Sequence, residues 1–134
     1  RNFIENLDKL PFDITYVTSD DTRIGGHRIF LDSKMKYTLP VFHNQKTWHV
    51  PWHSDHWKYV IDYVHNGKIS CKDLKTLSIL LKISVTLGID DMFLVLGARI
   101  ANLITSDNYQ DYLELANSTK NIWILLKCYY LKII

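Results

Sequence analysis

Hydrophobic spacing changes period partway along this 134-residue chain, and that change restricts the fold more than any single residue does. Phe12, Ile14 and Tyr16 alternate with Asp13 and Thr15, the period-two pattern of a strand with one covered face. Beyond Asp73 the apolar residues recur at helical intervals instead. Leu74, Leu77, Leu81 and Val85 make one stripe, which closes at Gly88. Strands first and helices after is the α+β pattern, and residues 1–134 read as a single domain.

The intermediate signals fill in an order of elements. Phe3, Ile4 and Leu7 mark one face of a short N-terminal helix that ends near Pro11. Strand Asp13–Val17 turns through Thr18-Ser19-Asp20-Asp21 into a second strand at Thr22–Ile24, a hairpin with suitable turn residues. Gly25-Gly26 leads into a helix that begins at His27 and breaks at Pro40. Trp48, Val50 and Trp52 alternate with His49 and Pro51, which predicts a short strand. Ser54 is the expected N-cap of a helix through His65, with Trp57, Val60, Ile61 and Val64 at helical spacing and a stop at Asn66-Gly67. Ile89–Ile104 is the next helix after the Leu74 stripe, weakened locally by Gly97. Ser106 or Asp107 is expected to cap a third, with Tyr109, Tyr112, Leu113 and Ala116 on one face.

A last helix runs from about Asn121 to the end. Among Ile122, Trp123, Ile124, Leu125, Leu126, Tyr129, Tyr130, Leu131, Ile133 and Ile134, only Lys127, Cys128 and Lys132 give polar relief. A helix apolar nearly all round must be covered on more than one side. One side belongs to the core; the other is expected to meet chain that follows, or a partner.

Composition excludes several classes. With 47% hydrophobic and 13% aromatic residues the chain is not disordered. The net charge of +2 comes from 16 basic and 14 acidic residues, scattered rather than gathered into the dense basic face that phosphate binding needs. Nucleic acid is therefore not expected as a direct partner. Cys71 and Cys128 cannot make a disulfide framework, and free cysteine is ordinary in a reducing compartment, so a cytoplasmic or nuclear setting is expected. No apolar run approaches membrane-spanning length. The chain opens on Arg1 without a secretory signal and reads as a piece of a longer protein. Asn117-Ser118-Thr119 fits a glycosylation sequon but reads as a polar link between helices.

Candidate chemistry is thin. His43, His49, His53, His56 and His65 form a histidine-rich region, yet their spacing straddles a strand end and a helix start rather than converging as zinc ligands do. They read as solvent-facing. His53-Ser54-Asp55 contains the residue types of a hydrolase triad, but a triad is a spatial relay that consecutive residues cannot form. Gly25-Gly26 lacks the remainder of any phosphate loop. No catalytic residue, metal or cofactor is expected.

Taken in order, several stretches resemble the BTB/POZ domain. Asp13 matches an Asp in that family's first strand, and Gly26-His27-Arg28 is similar to its Ala-His-Arg helix start. Leu31, Tyr37 and Phe42 fall where it places a core leucine and aromatics. Tyr59–Gly67 resembles a helix closed by a glycine, with Tyr63 and Gly67 in the matching places. Leu87-Gly88-Ile89 and Tyr112-Leu113-Glu114-Leu115-Ala116 resemble its Leu-Gly-Ile and Leu-Glu-Leu-Ala. Two departures stand out: Pro40 inside a helix, and His43-Asn44-Gln45-Lys46-Thr47 without the glutamate of a hydrophobic-x-Glu motif.

The resemblance implies a small sheet with a hairpin flanked by a cluster of helices, and a protein–protein interaction module rather than an enzyme. It implies a homodimer, with Phe3, Ile4 and Leu7 at the interface. Asp13 and Arg28 would line a charged groove; a weak ion pair is the alternative for them. Tyr37, Phe42, Tyr109 and Tyr112 would face a cullin scaffold if the domain were a substrate adaptor for a cullin-based ubiquitin ligase, with kelch or WD repeats downstream. The loop without glutamate sets the expectation at weak or absent cullin binding. A pure oligomerisation scaffold and a transcriptional co-repressor platform are the other functions the resemblance allows. Richness in Ile, Lys, Asn and Tyr fits an AT-rich genome, such as that of a large DNA virus or a protist.

Overall fold

A computed structural model describes residues 11–36 and 45–134 and shows an α+β chain. The alternating segment forms β1 (Ile14–Val17), the centre of a three-stranded sheet of order β2-β1-β3. β2 (Arg23–Gly26) pairs with it antiparallel, and β3 (Thr47–His49) pairs parallel. Side chains of β1 are buried on both faces of the sheet, Ile14 and Tyr16 on one and Val17 on the other, with Thr18 buried just beyond its end. Phe12, expected on the same covered face, is instead 63% exposed. Its ring lies against Gly25, where an added Cβ would collide with it. Gly25 and Gly26 thus belong to β2 rather than to a lead-in before the helix.

The helix after the hairpin, α1 (Arg28–Lys34), stops well short of Pro40. Met35 turns extended (φ −77°, ψ 130°) and buries its side chain, and the Lys36 N–H donates to the Gly88 carbonyl at 2.8 Å. That long-range bond draws the chain off the helical path. Pro40, Tyr37, Phe42 and His43 lie outside the described residues, as do Phe3, Ile4 and Leu7.

α2 (Ser54–Asn66) begins differently from the expectation. His53, not Ser54, is the N-cap, and its Nδ1 accepts from the Asp55 N–H at 3.0 Å. The helix ends at Gly67, whose φ of 72° is the left-handed cap geometry that a glycine adopts without strain. Its inner face carries Trp57, fully buried in an aromatic cluster. Trp57 meets Tyr16 and Trp48 edge-on, at 5.2 and 5.7 Å, and stacks on Trp52 at 5.4 Å. Such pairs prefer these offset and edge-to-face arrangements. Sheet and α2 are joined through this cluster.

The remainder is helical: α3 (Leu74–Leu87), α4 (Asp90–Leu103), a 3-10 turn (Tyr109–Tyr112), α5 (Leu113–Thr119) and α6 (Ile122–Ile133). Asp73 caps α3 by accepting from the Thr76 N–H at 2.8 Å, and Gly88 closes it at φ 71°. Leu77 and Leu81 of the predicted stripe are buried, whereas Val85 is exposed, because the inward row continues through Leu80, Ser84 and Leu87. Neither Ser106 nor Asp107 caps the next element. Asn108 closes that loop, its Oδ1 accepting from the Thr105 N–H at 2.7 Å and its Nδ2 donating to the Leu103 carbonyl at 3.3 Å. Asn117-Ser118-Thr119 is the last turn of α5 rather than a link.

Gly97 has a purpose that helix propensity alone hides. It is buried in α4 directly beneath the Asn121 side chain, and a Cβ there would overlap the Asn121 amide. Asn121 is itself buried. Its Nδ2 donates to the Phe93 carbonyl at 2.9 Å, while its Oδ1 accepts from the Trp123 N–H at 3.1 Å. One amide thereby caps α6 and fastens it to α4. Among the described residues no helix is long and apolar enough to cross a membrane.

Candidate functional site

Asp20 organises the junction between the hairpin turn and α2. Its Oδ1 accepts from the Thr18 hydroxyl at 2.6 Å and from the Ser54 N–H at 2.9 Å. Its Oδ2 accepts from the Ser54 hydroxyl at 2.6 Å and the Thr22 hydroxyl at 2.9 Å, and His53 Nε2 stands 3.6 Å away. The Ser54 hydroxyl first, and then that of Thr18, hold this carboxylate well below the usual carboxylate range. Thus Ser54, expected as a cap, instead anchors the turn. His53, Ser54 and Asp55 form no catalytic relay: the Ser54 hydroxyl goes to Asp20, and His53 Nδ1 takes the Asp55 backbone N–H.

Asp13 and Arg28 are brought together, though through the backbone. Asp13 Oδ1 accepts from the Arg28 N–H at 2.8 Å, capping the first turn of α1 from the residue just before β1, while His27 at the N-cap position makes no side-chain cap. Both residues lie near Tyr16. Burial pushes the Tyr16 phenol well above its ordinary value, and the carboxylates of Asp32 and Asp13 push the same way, against Arg28. Behind α1, Lys34 pairs with Asp91 at 2.7 Å, tying α1 to α4. Tyr63 of α2 is pushed up to about 12 by burial, then by the Asp91 carboxylate.

A cleft of about 330 Å³ opens beside β2, between the hairpin and α2. Phe12, Gly25 and His27 form one side, Phe30 and His65 another, with Lys58 and Asp62 also in the lining. His27 and His65 stack at 5.9 Å, and Phe30 meets the His65 ring edge-on at 4.4 Å. His65, expected to face solvent, is thus half-buried in an aromatic wall. His49 and His53 are exposed, and His56 is half-buried with its ring 6.2 Å from that of His53. Among the described residues no group of three His, Cys, Asp or Glu side chains could hold a metal ion.

Tyr109 and Tyr112 are half-buried on the 3-10 turn. Tyr112 lines a second cleft of about 260 Å³ together with Ser78, Lys82, Asp111 and Glu114. Burial raises the phenol of Tyr112, and the Asp111 and Asp73 carboxylates add to it.

Among the described residues, exposed large apolar side chains are most numerous on α6. Ile124 and Cys128 are buried against the core. On the opposite side Ile122, Trp123, Leu126, Tyr129, Tyr130, Ile133 and Ile134 are 43–83% exposed. At 3.6 residues per turn these seven share one arc, with Lys127 just past one end and Lys132 beyond the other. The Lys132 ammonium reaches back over the Tyr129 ring, 6.0 Å from its centre. No family model matches the chain, and no curated protein matches it.

Proposed function

We propose that this chain is a protein–protein interaction module of the BTB/POZ type that assembles with itself, and not an enzyme. Phe3, Ile4 and Leu7, the interface the resemblance implies, lie outside the described residues, and the observation that supports self-association is the broad apolar face of α6. Contiguous apolar patches on monomers are on the order of 300–600 Å², and larger ones mark interaction sites. Seven large side chains, three of them aromatic, lie side by side on this face and are 43–83% exposed, the kind of contiguous apolar surface that a second copy can cover. The α+β order with a small mixed sheet is compatible with the BTB/POZ architecture. The test is the oligomeric state in solution, with Leu126→Asp as the variant that places a charge at the centre of the arc.

The adaptor role rests on a narrower basis. Tyr112, half-buried at a cleft between α3 and α5, is the kind of aromatic anchor on which a partner's binding energy concentrates. The loop at 43–47 lacks the family's glutamate, so the proposal for a cullin scaffold is weak or absent binding, with scaffolding or co-repressor recruitment as the remaining roles.

A further inference from the structure

We infer that the cleft beside β2 receives the aromatic side chain of an extended peptide that pairs with the open edge of that strand. β2 is terminal in the sheet order, and among the described residues no strand pairs with its outer side. The Thr18 N–H donates to the Thr22 carbonyl, which fixes the alternation along the hairpin. Residues 22 and 24 turn their peptide groups toward β1, and Arg23 and Gly25 turn theirs outward. An outward row of this kind is a template for an added strand. The missing Cβ atoms of Gly25 and Gly26 make room for the Phe12 and Tyr16 rings, which puts the Phe12 ring beside the strand edge.

The cleft supplies the side-chain specificity. Phe12 lies over Gly25 with much of its ring exposed, and it sits 5.5 Å from His27. Phe30 and His65 complete a wall of ring edges and faces suited to a further aromatic ring. A volume of about 330 Å³ is at the small end for ligand clefts, enough for one large side chain and its flanks. Lys58 and Asp62, four residues apart on α2, contribute one charge of each sign, so the lining favours a neutral aromatic over a charged group. The partner's chemistry is therefore a neutral β-forming segment with a central aromatic residue. This goes beyond the self-association reading and uses a different surface.

The experiment titrates ¹⁵N-labelled protein with the blocked pentapeptide acetyl-Thr-Val-Trp-Val-Thr-amide and follows amide shifts. Saturable shifts are expected at Arg23–His27 and His65. Peptide groups alternate along a strand, so methylating the backbone nitrogen of either the probe's tryptophan or its neighbouring valines, whichever faces β2, removes a strand hydrogen bond and should weaken binding about tenfold. His65→Ala, in a protein whose remaining spectrum is unchanged, should weaken it several-fold. Absence of shifts at these amides up to millimolar peptide overturns the inference. So do shifts centred on α6, or binding that is unchanged by methylation at the tryptophan and at the valines alike. Oligomeric state plays no part in this readout, so its failure and that of the self-association reading are told apart.

Discussion

Single residues decide two joints of this fold. Asp20 collects three hydroxyls and a backbone N–H across the turn and the start of α2. Its carboxylate is depressed in the folded chain, so it contributes stability that is full above the unfolded carboxylate value of about 3.9. That contribution fades as pH falls through the folded value. The difference between thermal melts of wild type and Asp20→Asn should therefore hold from neutral pH to about pH 4 and shrink only below it; a difference that stays constant to about pH 2 would mean that the Asp20 carboxylate contributes nothing. Gly97 is the second joint. In an exposed helix Gly→Ala is stabilising, but here the methyl meets the Asn121 amide, and overpacking should cost about 1–3 kcal/mol. Urea unfolding of Gly97→Ala, Asn121→Ala and the double variant should show the alanine at 97 tolerated far better once Asn121 is trimmed. Neither joint is legible in the sequence, where Asp20 is a turn residue and Gly97 a weak point, because their partners lie 34 and 24 positions away along the chain.

At the level of elements, local chemistry was a good guide and long-range contacts were not. Gly67, Gly88, Asp73 and Asn121 end or begin helices where their residue types predict. The early end of α1 follows from the Lys36–Gly88 hydrogen bond, and the cap of α1 comes from Asp13, just before β1; no window of neighbouring residues carries either. The cleft beside β2 was missed for the same reason, since His27 and His65 are 38 positions apart and only the fold stacks them. The two faces of α6 give a direct prediction. Ile124→Ala empties a fully buried site and should cost about 2–5 kcal/mol at any protein concentration. Leu126→Ala should change monomer stability by less than about 0.5 kcal/mol. Its effect should appear instead as a lost dependence of Tm on protein concentration. Equal losses at the two positions would mean that the outer face is not an interface.

For the whole molecule, the α+β class and the order of strands and helices could be read from the change in hydrophobic period, and the surplus apolar surface of the last helix was visible as composition. What that surplus meets was not, because association depends on which side of α6 the core claims first. Calorimetry against a cullin N-terminal domain should give little or no heat; submicromolar binding abolished by Tyr112→Ala would instead make the missing glutamate dispensable. Multi-angle light scattering at micromolar concentration measures self-association directly. Twice the mass of the 134-residue chain is expected for the wild type, and a shift toward monomer for Leu126→Asp. A wild-type chain that remains monomeric throughout that concentration range would contradict it.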